Sequence, residues 1–262
     1  MRADTVLLRG SFGCELAQTE GITGQDYCSE LCETMPTQGE SLMNKIYLGL
    51  TAAVSIAALT AISSPALADG KTMSFFITSV GKGDGANLGG LAGADAHCAA
   101  LAKAAGSTKT NWHAYLSTTP VQGGPAPVDA RDRIGAGPWV NAKGVTIARN
   151  VEDLHSAKLS KEMLLNEKGQ LVNGAGDTPN THDMLTGSDT AGRYLMIGTD
   201  STCKNWTSNG EGSAMLGHHD GKGPNANRNF SSWNAAHMSR SCSQPDLVAT
   251  GGAGLFYCFA SN

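Results

Sequence analysis

His218, His219 and Asp220 stand in succession, and His182-Asp183 lies upstream of them. Imidazole nitrogens and carboxylate oxygens are zinc ligands, so this is where the chain could hold a metal. Side chains alternate along extended chain, so adjacent histidines point to opposite faces and at most one of His218 and His219 serves a given ion. The sequence therefore reads as an exposed polar loop, with His218, His219 and Asp220 as candidates, His182-Asp183 as their distant partner, and no metal or other cofactor expected.

Other chemistry has less to work with. A Gly-x-Ser-x-Gly elbow and a His-Glu-x-x-His helix are both missing, so no catalytic residue is expected and the chain reads as a non-enzyme. Trp206, Asn225, Asn227, Asn229, Trp233 and Asn234 form the candidate ligand-binding set. Aromatic rings offer apolar area and amides both donate and accept, a pairing suited to sugar or peptide recognition. A large aromatic such as Trp206 beside Cys203 is also a natural core residue.

Of the 7 Cys, Cys14, Cys28 and Cys32 precede Ala68, and Cys98, Cys203, Cys242 and Cys258 follow it. An even set in an exported chain reads as two disulfides, and four cysteines allow three pairings. None of the four has the short spacing of a zinc ligand pair. A bridge from Cys98 to Cys258 would close most of the domain, worth about 4 to 5 kcal/mol of loop entropy.

Export is read from the residues before Asp69. Met43-Asn44-Lys45, an apolar run from Ile46 to Ile62 and the close Pro65-Ala66-Leu67-Ala68 compose a signal peptide over residues 43–68, cleaved after Ala68. The run is short of the roughly 20 residues of a membrane span and contains Thr51, Ser55 and Thr60, so no span is expected after cleavage. Residues 1–42 read as an untranslated or disordered leader, with translation starting at Met43. Three Lys/Arg and seven Asp/Glu precede Ala68, so of the 19 basic and 23 acidic residues, 16 and 16 remain in the domain 69–262. A neutral domain is a poor partner for nucleic acid, which is held through phosphate neutralisation.

These residues need a frame. Ser74–Val80, Trp112–Leu116, Val145–Ala148 and Gly254–Phe259 are β-branched or aromatic and read as strands. Ala94, Cys98, Leu101 and Ala105 recur at helical spacing, with Gly106 as the stop. Asn150 can cap a short helix from Val151 to about Ala157. Met163-Leu164-Leu165 and Gln170-Leu171-Val172 flank a turn at Asn166–Gly169, a hairpin pattern. The stretch from Gly187 to Asn234 is long for a structureless loop, so it is functional or held by a disulfide.

Several blocks together resemble a known family. GGLAGADAHC ending at Cys98, NWHAYLST ending at Thr118, PWVNAKGVTIARNVEDLHS ending at Ser156, MLTGSDTAGR ending at Arg193, CKNWTS from Cys203 and SAMLG ending at Gly217, with Cys242 and Cys258, follow the order of endostatin-like domains. A similar pattern occurs in bacterial secreted and outer-membrane proteins. The resemblance implies an α+β, C-type-lectin-like single domain and a nested pairing, Cys98 with Cys258 and Cys203 with Cys242. Endostatins bind zinc through an N-terminal histidine-rich segment, which Asp69–Met73 lacks. Gln244-Pro245-Asp246 spells a calcium- and sugar-binding triplet of galactose-binding C-type lectins, but it follows Cys242 instead of preceding the tryptophan motif, and Ala235 replaces that motif's acid. It reads as a Pro turn between strands, and no calcium ligand is assigned.

The expected function is an exported, non-enzymatic recognition or adhesion module that binds a glycan or an extracellular or cell-surface protein, located in the periplasm, at the outer-membrane surface or outside the cell. The alternatives are a cell-envelope structural protein and a metal-dependent enzyme using His218 or His219.

Overall fold

The computed structural model describes residues 72–156, 159–223 and 231–261, all within the unit Thr60–Asn262. The leader, the signal peptide, Asn225, Asn227 and Asn229 lie outside the described residues.

The fold is mixed α+β. Its axis is β8 (Gly252–Ala260), a nine-residue strand buried along nearly its whole length. Strand β1 (Phe75–Ile77) pairs antiparallel with it, matching Phe75 to Phe259, and β2 (Trp112–Ala114) pairs antiparallel on the other edge, matching His113 to the same Phe259. Strand β5 (Asp183–Leu185) runs parallel to β8, and the sheet continues through β6 (Met215–His218) to β7 (His237–Met238). A second, two-stranded sheet joins β3 (Trp139–Val140) to β4 (Thr146–Ala148).

Strand periodicity divides the core in two. Phe256, Cys258 and Ala260 of β8 face one cluster with Phe76, Leu88, Trp112 and Trp206, while Leu255, Tyr257 and Phe259 face another with Phe75, Tyr115, Trp139 and Trp233. The first cluster is covered by α1 (Gly90–Ala104), whose buried residues Ala94, Cys98 and Ala102 recur every four positions along one face. Gly106, at φ 83°, follows it in a left-handed conformation. Cys98 on that face bonds Cys258 on β8, and Cys203 bonds Cys242, so the pairing is the nested one that the resemblance implies.

The shorter elements follow their local signals. Asn150 Oδ1 accepts from the Asp153 amide at 2.8 Å and opens α3 (Val151–Ser156). Asn166 Oδ1 accepts from the Lys168 and Gln170 amides, building the expected turn, and Leu165 pairs with Leu171 across it. Ala130–Arg133 adds a single turn, α2.

One segment runs against local backbone preference and another against expectation. Cys203–Trp206, labelled α4, is a left-handed turn, with φ of 50°, 56°, 54° and 67° at successive non-glycine residues. Each such residue costs about 1–2 kcal/mol. Tertiary contacts hold them: the Cys203–Cys242 bridge, Trp206 Nε1 donating to Ser117 O at 2.8 Å, Asp200 Oδ2 accepting from the Lys204 amide, and Asn205 Oδ1 accepting from the Thr119 amide. Gln244-Pro245-Asp246 is not a turn between strands but the start of a helix, α5 (Gln244–Ala249). Proline is tolerated in the first helical turn because its missing N–H has no intrahelical partner there, and Ser243 caps that turn.

Candidate metal centre

Three histidines that are far apart in sequence meet over one carboxylate. Asp183 opens β5 and stands opposite His218, the last residue of β6, in the antiparallel register. His237 opens β7, one strand further out, where the neighbouring register pairs it with Leu216. His182 precedes β5. Its ring lies against Gly251, where a Cβ would come within 3.1 Å of the imidazole and 2.7 Å of Asn180 Nδ2. Gly251 also has φ 103°, so a glycine is required there on both counts.

Asp183 Oδ1 lies 3.3 Å from His182 Nε2, 3.2 Å from His218 Nε2 and 3.4 Å from His237 Nε2. Candidate ligand atoms of His182, Asp183 and His218 all fall within 4.8 Å of one another. The Asp183 side chain is 1% exposed, and neither of its oxygens receives a hydrogen bond of acceptable geometry. Burial alone would push this carboxyl up. The imidazoles of His218, His237 and His182 outweigh burial and hold it below the usual range, so it is ionised at neutral pH.

The outer nitrogens of two rings fix their tautomers. His237 Nδ1 lies 3.0 Å from the Met238 carbonyl, which can only accept, so Nδ1 carries the proton in the neutral ring. His182 Nδ1 lies 3.3 Å from Asp220 Oδ1. Asp220 is an anion: burial would raise it, but His182 and the amides of Ala175 and Lys222 hold it far below the carboxylate range. His182 therefore donates from Nδ1, as His237 does. With Nδ1 as the proton-bearing nitrogen of each ring's neutral form, Nε2 of both faces an ionised oxygen less than 3.5 Å away, an arrangement that calls for a proton or a metal ion between them.

That spacing is a coordination spacing. Zinc bonds of about 2.0–2.2 Å to nitrogen and oxygen place tetrahedral ligand atoms about 3.3–3.5 Å apart. The three distances at Asp183 Oδ1 match this, while the set in which every candidate atom lies within 4.8 Å of every other is His182, Asp183 and His218, without His237. Three imidazoles and one carboxylate suit zinc or a neighbouring transition metal better than calcium or magnesium, which prefer all-oxygen shells. Asp220 behind His182 and the Met238 carbonyl behind His237 complete the outer shell that orients metal-bound imidazoles.

The adjacent histidines divide as their alternation requires. His218 faces the centre, whereas His219 turns away and its Nε2 donates to the Asn173 carbonyl at 3.0 Å. Burial lowers the His219 pKa, only partly offset by that carbonyl. Asp220, expected beside His218 and His219 as a direct ligand candidate, instead acts through His182. A cavity of about 490 Å³ lies over the cluster, lined by His182, His218, His237 and Lys222 among others.

Of the expected ligand-binding set, the described residues Trp206, Trp233 and Asn234 do not form a surface. Trp206 is fully buried, Asn234 is 1% exposed and Trp233 8%. Asn234 Nδ2 donates to Tyr115 Oη at 2.9 Å and to Asp189 O, and Trp233 packs on Tyr115 and Tyr257 with centroids 4.9 and 5.1 Å away. Gln244 and Asp246 are engaged in loop contacts: Gln244 Oε1 accepts from the Gly85 amide, and Asp246 Oδ2 from the hydroxyls of Ser241 and Ser243. Sequence reading missed His237 altogether, since spacings of 36 residues from His182 to His218 and 19 from His218 to His237 form no local motif.

Among the described residues no helix is long and apolar enough to cross a membrane. No protein-family model and no curated protein matches this chain, so the site stands on its geometry.

Proposed function

We propose that this chain is an exported metal-binding domain in which His182, Asp183 and His218 hold one divalent transition-metal ion and His237 Nε2, 3.4 Å from Asp183 Oδ1, closes on it as the fourth ligand, zinc being the best fit. The observation that carries the reading is the convergence of three imidazole nitrogens at 3.2–3.4 Å on one buried carboxylate oxygen that lacks a hydrogen bond. The metal alternative, read at His218 or His219, gains this support at His218, while of the recognition set Trp206, Trp233 and Asn234 are committed to the interior and Asn225, Asn227 and Asn229 lie outside the described residues.

The signal-peptide pattern before Asp69 and the two disulfides support export to the periplasm, the outer-membrane surface or the medium. The nested disulfides, the early helix and the small sheets support the C-type-lectin-like reading of the fold. Metal analysis of the purified, disulfide-intact protein tests the proposal. About one equivalent of zinc is expected, lost in both Asp183→Asn and His237→Ala with the fold retained by circular dichroism. Purified protein that stays metal-free after incubation with zinc sinks it.

A further inference from the structure

The cavity over the cluster is walled by His182, His218 and His237, but Asp183 does not line it. The carboxylate lies beneath the rings, closed in by β8: its amide donates to Gly251 O at 3.1 Å, and a Cβ at Gly252 would come within 3.1 Å of the Asp183 Cβ. A metal held here would receive Asp183 from below and the imidazoles from the sides. Its remaining face would open into the cavity.

Resting on the metal reading above, we propose that this face is an open coordination position on the side opposite Asp183, and that it takes the carboxylate of a ligand entering through the cavity, with Lys222 as the second contact. The charges facing the cavity favour an anion. A divalent ion offsets the buried Asp183 and Asp220 carboxylates, and Lys222 at the cavity wall adds a positive charge that it shares with the carboxylates of Glu162 and Asp177 within its electrostatic reach. Asp220 does not compete for the ligand, because its side chain is fully buried and occupied by His182 and by the amides of Ala175 and Lys222. Lys222 is exposed at the cavity wall, where its ammonium can reach an incoming oxygen. Zinc expands readily from four to five ligands, so the fifth bond requires none of the four protein ligands to leave. At about 490 Å³ the cavity holds more than the bound carboxyl group, within the range of small-molecule sites. In the reaction, a carboxylate oxygen donates a lone pair to the metal as its fifth ligand. No covalent bond in the ligand breaks.

Cobalt(II) makes the position visible, because its d–d absorption reports coordination number. The cobalt-loaded protein is titrated with acetate, with galacturonate, and with a short peptide bearing a free C-terminal carboxylate beside its amidated form. A saturable fall in the d–d intensity is expected with acetate and with at least one larger carboxylate, and none with the amidated peptide. Comparison of galacturonate with the free-acid peptide distinguishes an acidic sugar from a peptide terminus as the source. Lys222→Ala is expected to weaken the acetate response about tenfold, the effect of losing one charge-assisted contact, and Lys222→Arg to restore most of it. Failure to take up cobalt refutes the metal reading itself. Cobalt uptake with a spectrum that no carboxylate moves, or an acetate affinity that Lys222→Ala leaves unchanged, refutes only the open position.

Discussion

His182 Nδ1 lies 3.3 Å from Asp220 Oδ1, and this contact decides which edge of the His182 ring faces Asp183. The buried anion Asp220 fixes the ring proton on the outer nitrogen and leaves the inner one as a donor pair. Asp220 is thus a positioning residue two places beyond His218, reached through the turn in which the Gly221 amide donates to His218 O.

Asp220→Asn should therefore weaken zinc binding without removing a ligand. Loss of an outer-shell carboxylate costs about ten- to a hundredfold in metal affinity. Competition with a chromophoric chelator measures this, and an unchanged affinity would mean that the Asp220 contact is only structural.

His218→Ala and His219→Ala separate two neighbours of the same type. The His218 variant should lose zinc. The His219 variant should keep its stoichiometry yet lose about 1 kcal/mol of stability, because the Asn173 carbonyl then keeps only its hydrogen bond from Thr181 Oγ1. The reverse pattern would place the wrong imidazole in the centre.

Much of the frame was readable because its signals are local. Helical spacing of Ala94 and Cys98, the Asn150 cap and the Asn166–Gly169 turn each act within a few residues, and the elements form where those residues stand. The metal centre was only half readable. Alternation separated His218 from His219, but the join of His182, His218 and His237 depends on the β5–β6–β7 register, which no single segment encodes. The left-handed turn at Cys203–Trp206 was unreadable for the opposite reason: local preference opposes it, and a disulfide, a buried indole and the Asp200 and Asn205 side chains impose it. Trp206 and Trp233 show the same limit, since a tryptophan suits a core and a sugar platform equally well in sequence.

Stability should fall in mild acid. His155 is held neutral: its Nδ1 donates to the Val151 carbonyl at 2.7 Å, and its Nε2 accepts from Tyr115 Oη at 2.7 Å. Burial lowers its pKa below the ordinary value, with Arg131 adding to the effect and the Val151 carbonyl opposing it. The unfolded chain, titrating near the usual value of about 6.5, then binds more protons than the native state at pH just below it. The contribution is complete above about pH 6.5 and is lost as pH falls through the lower folded value. His219 acts in the same direction, and His237, raised by Asp183, acts in the opposite one. Urea unfolding in chelator at pH 7.5 and 5.5 should show the loss, and His155→Gln should reduce it. A pH response identical in wild type and variant would remove His155 from the account.

The last expectation sets zinc against calcium. A ligand that binds only the native state at a hundredfold excess over its dissociation constant adds about 2.7 kcal/mol, which for a domain of this size raises the melting temperature by about 5–10 °C. Three imidazoles and one carboxylate meet the needs of zinc. Calcium requires six to eight oxygens, and the side chains of Gln244 and Asp246 are already held by the Gly85 amide and by Ser241 and Ser243. Zinc should therefore shift the melt of the disulfide-intact protein, and calcium should leave it within about a degree of the chelator control, too small a change for a saturated native-state site. Asp246→Ala should keep the zinc shift, although it loses contacts at the start of α5, and His237→Ala should abolish it. A calcium shift of several degrees that vanishes in Asp246→Ala would instead establish the Gln244-Pro245-Asp246 triplet as a ligand set and move the functional centre from β5–β7 to the head of α5.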